Sequence, residues 1–416
     1  MAITETTLNG FFKKRYEKSL RDLVPEVTDL AMSIPFETSL RTGDTYQADV
    51  RVKRSHGVTF GGSTASVHTL NAVRSGETAG VSVKGYLAYM REQIAYGVLL
   101  RAKSSEQAFG SAFDITVNDV KNSFAFYREL NLLYGGSDIG VITAGGFGSN
   151  PSATLVITEA SFAPGVWSQL EGAAVDVYSA PGGTLRNTTA AVVIGAVNQS
   201  TREVAITGAS ADINAIQAND VIIPYLADTN WFDGMFKMVP NTTASVHGIS
   251  ATSYGLWKGN SYDAGGATLT FAKVMDAVAV LAGRGATGKL TLRVSPATWS
   301  DLLTDQAALR RYVGKEGKLD LGAKSIEFYG HTGPVEIKVH PMIKQGYALL
   351  TQDANFKRIG SSDIAWSTST KGDQEYFLHD LEGYTGKELR LLWDQALVTL
   401  RPANNCLISG IVNSAA

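Results

Sequence analysis

Apolar residues recur at three- and four-residue spacing in two long stretches of the chain, residues 7–32 and residues 111–136. Pro25 interrupts the first stretch, and the pair Gly135-Gly136 ends the second, as is usual where a helix stops. The spacing predicts an amphipathic N-terminal arm and a central helix that spans about 30 Å over 20 residues. The stripe of the central helix consists of Phe113, Val117, Val120, Phe124, Tyr127, Leu130, Leu133 and Tyr134.

The polar face of the arm is basic. A face of this kind either meets phosphates or an acidic partner, or is simply solvated and balanced by neighbouring acids. The presence of Glu17 and Asp22 favours the solvated face. The basic residues are Lys13, Lys14, Arg15, Lys18 and Arg21.

A different pattern occupies residues 39–85. Residues 46–53 and 81–86 alternate between apolar and polar positions, and the residues between them are rich in Gly, Ser and Thr. This pattern predicts two long strands around a mobile, Gly-rich tip. Both faces of the hairpin carry few apolar residues, and an isolated two-stranded hairpin is only marginally stable in water. We therefore expect the hairpin to pack against another subunit.

Residues 139–226 are rich in short apolar or alternating runs separated by Gly, Pro, Asn and Ser. Runs of this length and spacing are typical of a small sandwich or barrel. The pattern predicts an inserted β-rich domain. The runs cover residues 153–158, 174–179, 190–198, 202–207 and 219–224.

The pattern from residue 227 onward mixes helices and strands. A helix is predicted over 270–283, a strand over 289–294, and then a second helix with Ser295 as N-cap and Pro296 at its first position. Strands follow at 325–330 and 334–340, and further strands up to residue 411 are expected to pack against the central helix. The residues expected to face inward on the second helix are Trp299, Leu302, Leu303 and Leu309.

Length and composition indicate several domains with large interfaces. The chain has 416 residues, whereas single cores stop growing near ~250–300 residues. Only 18% of residues are charged while 44% are hydrophobic, which leaves less solvated surface than a lone globular monomer usually has. The formal net charge of −2 gives no overall positive field that would attract nucleic acid or an anionic membrane.

Residues 283–290 read GRGATGKL and match a phosphate-binding P-loop up to its last position. Leu290 stands where the Mg²⁺-binding hydroxyl belongs, and a helix precedes the motif while a strand follows it, the reverse of the order a P-loop needs. Gly283 and Gly285 are better interpreted as a helix C-cap, with Lys289 beginning a strand. A nucleotide-binding enzyme is therefore a disfavoured alternative.

No catalytic, cofactor-binding or metal-binding residue is predicted, and we expect no enzyme. Cys406 is the only cysteine, which excludes an intramolecular disulfide, and no two of the six His residues are spaced for ligation on one helix face. His340 and His379 are more often structural than acid-base residues in such settings. Trp299 and Trp393 are expected in the core, as is the thiol of Cys406. The first residues lack the apolar core of a signal peptide, and no apolar run is long enough to span a membrane.

The order of these elements resembles the major capsid proteins of tailed bacteriophages, the Hong Kong 97-like fold family. The resemblance covers essentially the whole chain, including the helix ending LLYGG, the stretch SPATWSDL, and the later stretches KVHPMIKQGYALLTQDANFKRIGSSDI and LRPANNCLISGI. It implies an α+β fold with an arm, an extended loop, and peripheral and axial domains, plus the insertion. The implied domains are an N-terminal arm (1–38), the extended loop (39–85), a peripheral domain with the spine helix (86–138), the inserted β-rich domain (139–226), the axial domain (227–345) and a return to the peripheral domain (346–416).

The resemblance also implies a function. A major capsid protein self-assembles through hexamers and pentamers into the icosahedral shell around the double-stranded DNA of a tailed phage, in the cytoplasm of the bacterial host. Implied partners are further copies of the chain, a separate scaffolding protein because the arm is short, a portal protein at one vertex and, in some phages, a decoration or cement protein. DNA would be enclosed without sequence-specific binding, and no membrane is involved. Another phage structural or adhesion protein is the alternative, suggested by the β-rich residues 153–224.

Some members of the family cross-link their subunits. A Lys of the extended loop forms an isopeptide bond with an Asn of a neighbouring peripheral domain, helped by a buried Glu. Lys53 lies in the corresponding region here, and Asn404 or Asn405 is the candidate partner. Both residue types are common and most such lysines are solvated, so the sequence leaves the cross-link open.

Overall fold

The computed structural model describes most of the chain after residue 28, and the predicted arm over 1–28 and Leu309 lie outside the described residues. The described part is α+β, with a long helix, two large sheets, a closed barrel and a hairpin ribbon. The described residues are 29–38, 41–42, 45–63, 67–95, 106–145, 151–305, 325–367, 369–371, 374–376, 378–380 and 385–414.

The first elements form the ribbon and the long helix. Strands β3 and β4 pair antiparallel from Thr45 opposite Lys84 to Lys53 opposite Glu77, which confirms the predicted hairpin. The second strand was predicted over 81–86, but β4 covers Glu77–Lys84 and Tyr86 begins β5. The helix ends where Gly136 adopts a φ of 68°, a conformation that favours glycine. The elements are α1 (Asp29–Ser33), β1 (Phe36–Glu37), β2 (Arg41–Thr42), β3 (Thr45–Lys53), β4 (Glu77–Lys84), β5 (Tyr86–Ala95) and α2 (Glu106–Tyr134).

The predicted β-rich segment forms a closed six-stranded barrel in the order β10-β7-β6-β11-β8-β9. Alternate residues point inward and are buried, for example Val175 and Val177 of β8 and Val204 and Ile206 of β10, as period-2 alternation requires. The elements are β6 (Gly140–Gly145), β7 (Ser152–Ile157), α3 (Pro164–Trp167), β8 (Ala174–Tyr178), β9 (Val192–Asn198), β10 (Glu203–Thr207), α4 (Ser210–Ala215) and β11 (Val221–Pro224).

The next segment, residues 227–339, mixes helices and strands. The N-cap prediction is confirmed, because Ser295 Oγ accepts the N–H of Thr298 at 3.2 Å. Leu302 is buried, but the prediction for Leu303 is wrong: its side chain is 50% exposed, because successive helical residues point about 100° apart. The elements are α5 (Ala227–Asn230), α6 (Met235–Met238), β12 (Ser245–Val246), β13 (Ile249–Ser250), β14 (Asn260–Ala267), α7 (Phe271–Gly283), β15 (Leu290–Val294), α8 (Pro296–Thr304), β16 (Ser325–Tyr329) and β17 (Pro334–Val339).

The last strands divide between two sheets. Strands β18 and β24 belong to a six-stranded sheet of order β14-β24-β18-β15-β17-β16. The domain boundary expected at 345/346 therefore does not coincide with a boundary between the two large sheets. β19, β22 and β5 pair with the long strand β23 instead. The elements are β18 (Ala348–Thr351), β19 (Phe356–Trp366), β20 (Ser369–Lys371), β21 (Gln374–Tyr376), β22 (Leu378–Asp380), β23 (Gly386–Thr399) and β24 (Cys406–Ile411).

The helix α2 packs across the sheet that contains β23. The rings of Phe124 and Trp393 stack with centroids 4.0 Å apart, and Val120 and Leu391 complete this buried cluster. The expectation that late strands return to the central helix is therefore met by β23, and Trp393 is a core residue as predicted.

His247 lies in a tight turn, where its neutral imidazole accepts a backbone hydrogen bond. Together with Gly248 it joins β12 to β13, and both residues have positive φ, 51° and 81°, as a two-residue hairpin turn requires. The Nε2 atom of His247 accepts the N–H of Thr399 at 3.1 Å. Burial lowers the pKa of His247 to about 4 from 6.5, against a smaller opposing effect of Asp233.

We expect this turn to make folding stability depend on pH. Between pH 6.5 and pH 4 the unfolded chain binds a proton that the folded chain excludes, so stability is complete above this window and falls as the pH falls through it. The loss between pH 7 and pH 5 is about 2 kcal/mol. His247→Asn keeps an acceptor and tolerates positive φ, so it should lose this dependence. Urea unfolding of the wild-type chain and of His247→Asn at pH 7 and pH 5 measures how the free energy of unfolding changes with pH. The same change in both chains would contradict the role given to His247.

Candidate functional site

The described residues contain no group of three or more His, Cys, Asp or Glu side chains placed to hold a metal ion. None of the helices within the described ranges is long and apolar enough to cross a membrane. Among the single residues considered from the sequence, His379 Nε2 lies 2.8 Å from the carbonyl oxygen of Ser367, and Cys406 is buried, which raises the pKa of its thiol to about 12. Both are held in structural contacts.

The GRGATGKL segment is a helix end followed by a strand, as predicted. Helix α7 stops at Gly283, and Gly285 has a φ of 85°. The N–H of Ala286 donates to Leu281 and that of Gly285 to Ala282, which is the Schellman arrangement of a C-terminal cap. Lys289 forms an ion pair with Glu336 at 2.8 Å. The backbone therefore turns away from the strand-to-helix geometry that a phosphate loop needs.

A buried carboxylate fixes the place where the arm joins the body. Glu129 of α2 is fully buried, and its two oxygens accept the N–H groups of Leu30 at 2.7 Å and Ala31 at 3.0 Å. His340 Nε2 lies 3.1 Å from the same carboxylate. The sequence placed His340 among structural residues but did not single out Glu129. Helix α1, and with it the exit point of residues 1–28, is thereby tied to the central helix.

A second buried charge pair lies beside the first. Arg293 of β15 is fully buried, and its guanidinium donates to Asp353 at 2.7 and 2.9 Å and to Ser33 Oγ at 2.9 Å. Burial alone would raise the pKa of Asp353, but the facing guanidinium outweighs burial and holds that pKa below its usual value. The pair joins α1 to the six-stranded sheet and adds a second anchor for the arm.

The base of the ribbon packs on its own chain. Tyr46 and Val81 are buried in the largest core cluster. At the far end of the paired strands, Lys53 Nζ lies 2.8 Å from Glu77, and the Tyr254 hydroxyl donates to the same carboxylate. The expectation that the whole hairpin depends on another subunit is therefore too broad, because alternate residues of β3 and β4 do reach the body.

The tip of the ribbon, residues 54–76, behaves differently. In its described residues, 54–63 and 67–76, a bridge joins His56 to Arg74, and Asn71 donates to Thr59 Oγ1 at 2.8 Å and to the carbonyl of Val58 at 2.7 Å. Its apolar side chains nevertheless face solvent. Exposed apolar side chains that accumulate in one segment indicate a contact surface. The exposed fractions are 67% for Val58, 91% for Phe60, 103% for Val67, 81% for Leu70 and 87% for Val73.

The three cross-link candidates each have partners within their own copy. A hydrogen bond from the Lys53 ammonium to Glu77 raises the pKa of this lysine, so the group stays protonated, whereas nucleophilic attack needs the free amine. Asn404 is buried and donates to Gln352 at 2.9 Å, and Asn405 is buried and donates to the carbonyl of Arg401 at 3.2 Å. The cross-link, which the sequence left open, is therefore not proposed for this chain.

The fold is similar to that of capsid proteins in solved structures. The cyanophage A-1(L) capsid asymmetric unit matches 98% of this chain and 99% of its own, with 11% identity and a TM-score of 0.54. The capsid of a native GTA particle matches 96% of this chain and 95% of its own, with 8% identity and a TM-score of 0.51. No protein-family model and no curated protein matches the sequence.

These likenesses extend over nearly the whole chain, insertion included, and they establish the fold. The chain has the α+β fold of phage capsid proteins, the Hong Kong 97-like fold. The fold class predicted from the order of elements is thus confirmed, including the ribbon, the spine helix α2 and the β-rich insertion, which is a barrel. Of the predicted arm, the structure describes only residues 29–38.

Proposed function

We propose that this chain is the major capsid protein of a tailed bacteriophage, which self-assembles through hexamers and pentamers into an icosahedral shell around double-stranded DNA. The observation that supports it most is the tip of the ribbon: five apolar side chains of its described residues are exposed to solvent, although the segment that carries them is hydrogen bonded across the tip. A monomeric protein gains nothing from that arrangement. The capsid fold of the whole chain supplies the setting in which sister copies cover such a surface.

The energetics of the tip suit assembly. Complete burial of one large apolar side chain stabilises by about 1.5–3 kcal/mol relative to exposure. Ordering costs are small because the tip backbone is already hydrogen bonded, and a pre-organised surface loses less entropy on binding. Each copy both gives a tip and receives one, so the contacts are heterologous and close into rings.

The remaining parts of the proposal follow the fold. Residues 1–38 would act as an arm that starts from the anchored helix α1, α2 and the β23 sheet as the peripheral domain, and the six-stranded sheet as the axial domain. The role is structural, without catalysis. The net charge of −2 suits a container, since a strongly basic wall would hold DNA through counterion release. A separate scaffolding protein, a portal protein and, in some phages, a decoration protein would complete the particle in the host cytoplasm.

Sedimentation and electron micrographs of the purified chain test this function. Alone or with its scaffolding protein, the chain should sediment as capsomers or closed shells whose diameter is uniform. A chain that stays monomeric at every concentration, and whose melting temperature rises when a nucleotide is added, would contradict the proposal.

A further inference from the structure

A cleft rich in arginine lies between the ribbon and the body of the chain. It has a volume of about 520 Å³, and its lining includes the buried side chains of Val52 and Trp257. A neighbouring cleft shares part of this lining. Among the described residues that line the two clefts there is no Asp or Glu. The cationic lining residues of the first cleft are Arg51, Arg54, Arg284 and Arg401.

Three of these guanidinium groups have no partner within the described chain. Arg284 donates to the carbonyl oxygens of Gly255 and Lys258, whereas the side chains of Arg51, Arg54 and Arg401 form no hydrogen bond or ion pair with the described residues. Guanidinium groups are well suited to bind carboxylates with two parallel hydrogen bonds. The cleft thus gathers like charges, and an anionic group would relieve their repulsion.

The sequence places the matching charge elsewhere in the same chain. Residues 51–76 contain four Lys or Arg and no Asp or Glu, while residues 372–386 contain four Asp or Glu and no Lys or Arg. Lys371 and Lys387 flank the second stretch. Its described part consists of β21 and β22, which we call the acidic end and which carries Glu375 and Asp380.

The two charged regions lie at opposite ends of one strand. Asp380 of β22 pairs with Lys387 near the start of β23, whereas Leu400 and Arg401, which line the cleft, directly follow its last residue, Thr399. Twelve residues separate Lys387 from Thr399, a distance of about 40 Å at ~3.3 Å per residue. A copy of the chain therefore cannot place β22 in its own cleft.

We propose that the arginine cleft of one copy receives the acidic end, β21 and β22, of a second copy. Complementary charges at opposite ends of one strand produce a head-to-tail contact, the kind that closes into rings. The contact is separate from the apolar tip and would orient the neighbour, since charge pairs set register and the rate of encounter more than affinity. This inference rests on the proposed capsid function.

A charge-swap experiment tests the contact. The cleft variant is Arg51→Glu with Arg54→Glu, and the matched variant of the acidic end is Glu375→Lys with Asp380→Lys. Each pair alone should raise the subunit concentration needed for assembly at least tenfold, and the chain carrying all four changes should recover most of that loss. Circular dichroism and melting temperature show that each variant folds. The wild-type threshold should also rise with salt, because salt screens exposed charges.

Other results would overturn the contact. The acidic end does not occupy the cleft if either charge-reversed pair leaves the assembly threshold unchanged. The same conclusion follows if the variant with all four substitutions assembles no better than the two variants with two substitutions each. If the cleft variant assembles normally but particles retain less DNA, the arginines bind phosphate instead. In both cases wild-type particles still form, so these results would leave the proposed capsid function intact. A wild-type chain that never assembles would contradict that function independently of the contact.

Discussion

A chain that lacks residues 56–76 should fold normally and form no closed particles. The deletion leaves Arg54 and Ser55 as a two-residue turn between Lys53 and Glu77, which are already cross-strand partners. The contacts of the ribbon base with the body, such as Tyr46 and Val81 in the core, are untouched. What is lost is the exposed apolar surface, and without it neighbouring copies lose their overlap. Circular dichroism, thermal melting and electron micrographs of the deleted chain check both parts of this prediction.

Point substitutions separate the apolar surface from the length of the tip. Phe60→Ser with Leu70→Ser keeps the length and should raise the assembly threshold by about 100-fold or more, because each side chain contributes about 1.5–3 kcal/mol when buried and 1.4 kcal/mol is tenfold. Phe60→Leu with Leu70→Met keeps the apolar character and should assemble within a few-fold of wild type. Normal shells from the deleted chain, or from the Ser variant, would show that the tip has no part in closure.

Replacing Glu129 by Ala should destabilise the folded chain by about 3–5 kcal/mol, the usual cost of breaking a buried charged network. The substitution leaves the N–H groups of Leu30 and Ala31 buried without their acceptor and leaves His340 without its facing carboxylate. Urea unfolding in the tip-deleted background measures the loss without a contribution from assembly, which otherwise adds to apparent stability.

The matched variant Glu129→Gln retains one oxygen acceptor and the side-chain volume, so its loss should be about half that of Glu129→Ala. Hydrogen exchange at Leu30 and Ala31 should speed up in both variants, in the same order. An unfolding free energy within ~0.5 kcal/mol of the parent for Glu129→Ala would mean that the carboxylate does not anchor the arm.

The helical and strand periodicities and the helix cap could be predicted from the sequence because they depend only on neighbouring residues. The stripe from Val120 to Tyr134, the alternation of β3 and β4, and the Ser295 cap each depend on neighbours within a few residues. The barrel was predictable as a β-rich insertion, but its closure was not, since closure depends on which strand ends meet. Closure depends on a long-range pairing, Glu203 with Val156 among others.

The buried contacts of Glu129 and Arg293, and the sheet that β18 and β24 enter, could not be predicted. They too depend on residues that are far apart in the sequence. β18 and β24 join β15 and β14 across large sequence separations, and no local pattern shows which sheet a short apolar strand enters. Two signals were nevertheless present. Glu129 lies three residues after Phe126 and four before Leu133, on the buried face of α2, and Arg293 interrupts a strand that is otherwise buried throughout. A charge in such a position needs a buried partner.

The reactivity of a thiol placed on the tip tests most directly whether sister copies cover a surface that one copy leaves exposed. Cys406 is buried and its thiol has a raised pKa, so Ala72→Cys would add the one reactive thiol, with Ala180→Cys in an exposed barrel turn as control. In assembled particles the thiol at position 72 should react at least tenfold more slowly than in dissociated subunits, while the thiol at position 180 reacts equally in both. Equal rates at position 72 in particles and in subunits would show that neighbouring copies leave the tip uncovered.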